Sequence, residues 1–418
     1  MKILWITNIV FPEISASLSC KQDFKSSGGW MLGAAGLLAS RNDVHLCVAT
    51  VSPLVSQLRR IEGESVVYYV IPIGKGNNKV NDEYNDYWIK INKEFSPDVV
   101  HIHGTESSHG HAFMKACGSR NVVISIQGLI SAYEYYYHYG ISKSEIYKTI
   151  TIRDLIKGTI FSGKKKFKYS SMYELDMIKS AAHIIGRTSW DKARIWAINP
   201  NAKYHFCNET LRPEFYDGTR WSYEQCIRHT IFISQASYPL KGFHQILKAL
   251  PLILRHYPNT MVKIAGHNPT AMDTLFQRLK LSGYGKYLKS LIRKYNLEKH
   301  IFFLGPLNAE QMKKEYLSAN VFISPSSIEN SPNSLGEAQI LGVPCISSYV
   351  GGAMDMMNEN TENLYRFEEI EMLAYKVCRI FENQERQVDM RTTAHNRHNA
   401  EENDHRLYNI YKEIINNL

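Results

Sequence analysis

Glu329 and Glu337, two carboxylates with seven residues between them, carry the strongest chemical signal in the chain. Glu329 falls in a polar loop broken by Pro332, just after the apolar run Val321, Phe322 and Ile323. A helix is expected from near Ser334, with Leu335, Ala338, Ile340 and Leu341 apolar; Gly342 ends it and Pro344 keeps it from restarting. The backbone N–H groups of Asn333, Ser334, Leu335 and Gly336 would be first-turn donors, which favour an anion such as a diphosphate. A carboxylate beside them suits vicinal sugar hydroxyls, whose protons it can accept. The plainer alternative is a capping carboxylate at a helix start.

These residues need a scaffold, and the flanking pattern supplies one. Strand, loop, helix, a short buried strand at 343–348, and the mobile pair Gly351-Gly352 make half of a doubly wound α/β sheet. Earlier, 2–8 reads as an apolar strand and 9–29 as a long loop. Its Gly28-Gly29 tail leads into a helix at 30–40, an arrangement that lets backbone approach a phosphate. Further strands are expected at 44–50, 66–71, 98–104, 122–126 and 184–186. The strand at 98–104 presents His103 at its carboxyl end, and the one at 122–126 presents Gln127. Beyond 230, strands at 230–234, 262–266 and 301–305 alternate with helical patterns, and Lys241-Gly242 opens one of those helices.

At 418 residues the chain suits two domains. Hydrophobic content of 44% and charged content of 21% are those of a globular protein. The seven cysteines lack Cys-x-x-Cys spacing, so neither a disulfide framework nor a zinc site is expected, and the reducing cytosol is the natural compartment. No apolar run is long enough to span a membrane, and the N-terminus reads as a strand, not a signal peptide. The net charge of +9 favours anionic partners, but no nucleic-acid signature accompanies it. Its densest cluster runs Lys164, Lys165, Lys166, Phe167, Lys168, with Phe161 just before, and reads either as an anchor for an anionic membrane surface or as a solvated basic loop. The Tyr-rich stretch before it (Tyr133, Tyr135, Tyr136, Tyr137, Tyr139) suits sugar stacking, a lipid head group or a solvated insertion.

Glu329, Glu337, Gly342, Pro344 and Gly351-Gly352, in that order over about thirty residues, resemble the donor-binding signature of retaining glycosyltransferases of family 4. The resemblance implies the GT-B fold: two Rossmann-like domains facing across a cleft. Residues 1–212 would form the acceptor-side domain, 213–395 the nucleotide-sugar domain, and 396–418 a helix returning to the first. It further implies that Glu329 orients the transferred sugar, Glu337 holds the ribose, and Lys241 grips the diphosphate. Gly28 and Gly29 would face the donor. Two departures stand out. Gln127 occupies a position where the family often has His, and an amide cannot transfer protons as a general acid or base. The diphosphate Arg that precedes Lys-Gly in the family is absent, unless Arg187 or Arg212 substitutes for it.

The implied reaction is sugar transfer from a nucleotide-sugar to a polysaccharide or lipid-linked acceptor, with retention and without a metal, since no Asp-x-Asp occurs. No cofactor is expected, and the protein would be cytoplasmic, peripheral at the inner membrane face. A GT-B epimerase acting on a nucleotide-sugar and a non-catalytic sugar- or lipid-binding descendant are the alternatives.

Overall fold

The computed structural model describes residues 1–18, 29–73, 83–382 and 390–418. The chain divides into two compact units. The first comprises 1–131, 168–212 and 398–418, and the second 132–167 and 213–397.

The first unit is built on β1 (Lys2–Ile6), β2 (His45–Ser52), β3 (Arg59–Glu62), β4 (Val66–Pro72), β5 (Val99–His103), β6 (Val122–Ser125), β7 (His183–Gly186) and β8 (Lys203–Phe206). Their spatial order is β3-β4-β2-β1-β5-β6-β7-β8. All neighbours are parallel except β3, which pairs antiparallel with β4 at the edge. Near-continuous apolar runs such as Ile3–Ile6 and Val99–Val100 form strands because both sheet faces are covered. The loop expected at 9–29 instead begins with a helix, Pro12–Leu18. Gly28 lies outside the described residues, and Gly29 opens the helix Gly29–Ala39.

The single helix expected at 396–418 is broken in two, Arg391–Arg397 and Ala400–Asn416. The Asn399 side chain caps the second piece, accepting from Glu402 N at 2.9 Å. Within the first unit that helix is seated by Tyr411, whose Oη accepts from Trp5 Nε1 at 2.9 Å and lies 2.5 Å from His101 Nδ1.

The second unit is built on β9 (Thr230–Ile233), β10 (Met261–Ala265), β11 (Ile301–Gly305), β12 (Val321–Ser324), β13 (Cys345–Ser348) and β14 (Leu364–Tyr365). They form an all-parallel sheet ordered β11-β10-β9-β12-β13-β14. That is the doubly wound order of a dinucleotide-type fold, whose topological switch point falls between β9 and β12. The core beneath β9 and β12 holds Phe232, Phe322 and Tyr316 in mutual contact, with ring centroids 5.0–6.2 Å apart. Each such fully buried ring stabilises the unit by roughly 1.5–3 kcal/mol relative to exposure. Two parallel α/β units of this kind are the composition of the GT-B fold.

Residues 132–167 join the second unit, not the first as the sequence reading has it. They fold into short helices, Lys143–Thr149 and Ile152–Lys157, each opened by a reciprocal cap: Ser142 with Glu145, and Thr151 with Asp154. Ile141, Ile146 and Ile160 enter the second unit's core, which fixes the segment there. The Lys-rich cluster lies in the helix Ile160–Ser180. Its two aromatic residues are not free anchors: Phe161 packs against the core, and the Phe167 ring meets Tyr137 at 5.0 Å.

Candidate active site

In open parallel sheets ligands sit beyond the carboxyl ends of the strands at the switch point. In the second unit that place is made by the loops after β9 and β12. The first ends in the turn Pro239–Lys241 and Gly242, at φ +66. A Cβ there would fall 1.8 Å from Pro325 O, in the second loop. Ser327 N completes the seam by donating to Leu240 O at 2.8 Å. Gly242→Ala is therefore expected to cost about 2–3 kcal/mol through left-handed strain and clash, and to displace Lys241. The urea midpoint of the second unit and the affinity for a nucleoside diphosphate should fall together; unchanged values for both would refute the steric account.

The seam brings two of the expected residues together. Lys241 Nζ lies 2.5 Å from Glu329 Oε1, which also accepts from Ser326 Oγ at 2.8 Å. Burial pulls the Lys241 pKa down, but Glu329 and Tyr238 outweigh it and leave the ammonium firmly charged. The pair is mostly shielded from water, so its Coulomb attraction is weakly screened.

Gly351-Gly352, expected to be mobile, instead clamps the site from β13. Gly352 N donates to Glu329 O at 3.0 Å, and a Cβ on Gly351, at φ +53, would lie 1.8 Å from the same oxygen. Only glycine lets the two loops approach this closely.

Glu337 follows in the helix Asn333–Leu341, buried, with Tyr316 Oη 3.3 Å from its Oε2. The same hydroxyl donates to Ser334 O at 2.9 Å, tying the acid to the first turn. The donor set there is narrower than the sequence suggests. Leu335 N and Gly336 N donate to Pro332 O at 2.9 and 3.3 Å, so the Leu335 amide does not face a ligand. Asn333 and Ser334 stand half-buried at the helix start.

The first unit holds the other expected residues. His103 is buried against Trp5 and His101, with centroids at 4.4 and 3.8 Å. Burial lowers its pKa to about 3, which holds the packed ring neutral. Arg187 does not offer a free cation in place of the missing Arg. Its Nη1 pairs with Glu209 Oε2 at 2.6 Å, and its Nη2 donates to Ile126 O and Gln127 O, both at 3.1 Å. Its guanidinium is spent bracing the strand ends. Arg212 is half-buried at the end of this unit.

Gln127 stands half-buried just past β6, and its Nε2 is buried with no hydrogen-bond partner among the described residues. Beside it is a residue that motif reading missed. Glu106, three residues past β5, has a buried Oε2, and a Cβ on Gly104 would lie 2.1 Å from that oxygen and 3.2 Å from Gln127 Cγ. Burial raises its pKa to about 7, with Glu174 adding to the shift. The available signal was position: an acid just beyond a strand end at the first unit's switch point.

One group among the described residues has metal-ligand spacing, namely His183, His205 and Glu413. Lys203 Nζ already holds Glu413 Oε1 at 2.7 Å, and His183 Nδ1 meets His205 Nε2 at 3.0 Å.

Residues 228–397, which carry Lys241, Glu329 and Glu337, match the family model described as glycosyl transferases group 1. An uncharacterized glycosyltransferase of Methanocaldococcus jannaschii is 27% identical over 135 residues, 32% of this chain and 30% of that protein. The phosphatidylinositol N-acetylglucosaminyltransferase gpi3 subunit of Schizosaccharomyces pombe is 25% identical over 140 residues, 34% of this chain and 28% of that protein. The matched stretches thus span less than a third of these relatives' lengths. Among solved structures, sucrose-phosphate synthase from Thermosynechococcus elongatus aligns over 100% of both chains, with a TM-score of 0.71 at 15% identity. Anabaena HepE, solved in complex with UDP, aligns over 99% of this chain and 100% of its own, with a TM-score of 0.62 at 14% identity. At such identities these likenesses show the fold.

Proposed function

Taking residues 228–397 as a domain of the group 1 glycosyltransferases, we propose that the chain transfers a sugar from a nucleotide-sugar to a saccharide or lipid-linked acceptor, with retention of configuration. The observation that carries this reading is the Lys241–Glu329 pair, held between two laced loops at the switch point of the second sheet. A bound donor would exchange partners with it. The diphosphate takes the Lys241 ammonium, aided by the first turn at Asn333 and Ser334, and this charge stabilises the departing nucleoside diphosphate without calling on a metal.

Glu329, released from Lys241 but still held by Ser326, then accepts from hydroxyls of the transferred sugar. Glu337, fixed through Tyr316, accepts from the ribose hydroxyls. Attack on the face that the leaving group vacates would give retention without a carboxylate nucleophile. Gln127 and Glu106, at the strand ends of the first unit, offer an amide and a carboxyl that suit acceptor hydroxyls.

The two acids test this assignment. Glu337→Ala is expected to weaken nucleoside-diphosphate binding about tenfold or more, read by calorimetry. Glu329→Ala should leave that binding nearly intact and lower kcat instead, because it touches the group that reacts. Parent-like nucleotide affinity in both variants would remove the ribose assignment. Conversion of the donor sugar to its epimer without an acceptor would remove transfer itself.

A further inference from the structure

Two short helices of the second unit turn their apolar faces outward. Ile152, Leu155 and Ile156 on Ile152–Lys157 are 69–78% exposed, and Leu275, Phe276 and Leu279 on Leu275–Lys280 are 64–77% exposed. Spacings of three and four residues put each trio on one helix face. The helices are neighbours: Thr151 Oγ1 donates to Leu281 O at 2.8 Å, and Lys286 Nζ donates to Ile150 O at 3.3 Å. Both are locally well specified, because Thr151 with Asp154 and Thr274 with Gln277 form complete capping boxes. The fold therefore holds six large apolar side chains in water by design of its own caps. Scattered single residues of this kind need no explanation, but a paired cluster does.

The charge around the cluster narrows what could cover it. Residues 143–167 carry seven Lys and Arg against two Asp and Glu, and residues 271–294 carry six against one. The net +10 of these two segments exceeds the +9 of the whole chain, so the rest of the protein is close to neutral. Lys148, Lys157, Arg278, Lys280 and Lys286 are exposed around the apolar faces, against one exposed acid, Asp273, while Asp154 is buried. Lys280 lies over the Phe276 ring at 3.6 Å, so its charge travels with an apolar surface. A cationic rim around outward Leu, Ile and Phe is complementary to a surface that is anionic at the head groups and apolar just beneath. No described helix is long and apolar enough to cross a membrane.

We propose that the helices Ile152–Lys157 and Leu275–Lys280 together form a docking surface for an anionic lipid bilayer. The apolar side chains enter the boundary between head groups and acyl chains, and the surrounding Lys and Arg pair with lipid phosphates. This extends the idea of a lipid-linked acceptor, yet vesicle binding requires no sugar transfer, so either reading can fail without the other.

The test is co-sedimentation of the full chain with vesicles of phosphatidylglycerol and phosphatidylcholine, and with phosphatidylcholine alone. The parent should bind the anionic vesicles and release them as salt rises. The triple variants Ile152→Ser/Leu155→Ser/Ile156→Ser and Leu275→Ser/Phe276→Ser/Leu279→Ser should each lower the partition coefficient at least about tenfold. Lys157→Gln/Arg278→Gln/Lys280→Gln should do the same at low salt, since each charge near an anionic surface adds to the attraction. All these side chains are exposed, with Arg278 Nε donating to Met272 O at 3.0 Å and Lys280 over the Phe276 ring, so melting curves should lie close to the parent's. No binding by the parent, or equal binding by parent and variants, would overturn the proposal. So would a parent dimer in sedimentation velocity that the serine variants make monomeric while vesicles bind none of them, which would assign the surface to a second copy of the chain.

Discussion

Replacing Lys241 with alanine is expected to lower turnover roughly a hundred- to a thousand-fold, the loss typical of removing one donor aimed at developing charge. The side chain is three-quarters shielded and held charged by Glu329, so it meets the diphosphate with little reorganisation. Its removal also leaves Glu329 with Ser326 Oγ at 2.8 Å but without its cation, and a carboxylate facing a diphosphate repels it. Affinity for a free nucleoside diphosphate should therefore fall along with kcat. Lys241→Arg should not restore activity, because the wider, planar guanidinium does not fit the 2.5 Å contact made by a point-like ammonium. Steady-state kinetics with calorimetry of the diphosphate decide it; parent-like values for both would take Lys241 out of the site.

Glu174→Ala should produce the largest loss of stability, about 3–5 kcal/mol in the first unit. The residue has no solvent exposure. Its carboxylate accepts from Thr105 Oγ1 at 2.7 Å, Ile130 N at 2.9 Å and Ser131 N at 2.8 Å. Truncation takes the acceptor from the buried Ile130 amide and the half-buried Ser131 amide, and leaves Thr105 Oγ1 with Gly128 O at 3.5 Å. Amide exchange at Ile130 and Ser131 should accelerate, and the urea midpoint of the unit should drop; retained protection at both amides would contradict this role.

The pH dependence has a definite sign. Burial raises the Glu174 pKa above 4.5 although its hydrogen bonds oppose the shift. The folded state thus holds the proton more tightly than the unfolded chain does. The group's contribution is fully present below 4.5 and is lost as pH rises through the raised folded value. The alanine variant should lack that slope.

Much of the second unit was legible because its signals are local. Gly342 ends the helix Asn333–Leu341 in the left-handed conformation, as glycine at that position should, and its cap amide bonds back into the helix. Short apolar runs with Gly at their ends gave β10 and β11 without any knowledge of their neighbours. The stretch 130–157 was not legible, because its helices are six or seven residues long. Two turns are too few for a 3.6-residue period to show, and only burial of Ile141, Ile146 and Ile160 says which unit they serve.

The sequence by itself determined which residue types the second unit places along one strand–loop–helix, since Glu329, the helix start and Glu337 are fixed in order by chain connectivity. Tertiary structure decided what those residues do to one another. Lys241 meets Glu329 across 88 positions only because β9 and β12 are neighbours at the switch point and Gly242 and Gly351 let the loops touch. The same kind of decision removed Arg187, whose cation is consumed by Glu209, and turned His103 into a packed neutral ring. Charge and protonation depend on partners within a few ångströms and on exclusion of water. Both are properties of packing between distant segments, and no local pattern in the chain encodes them.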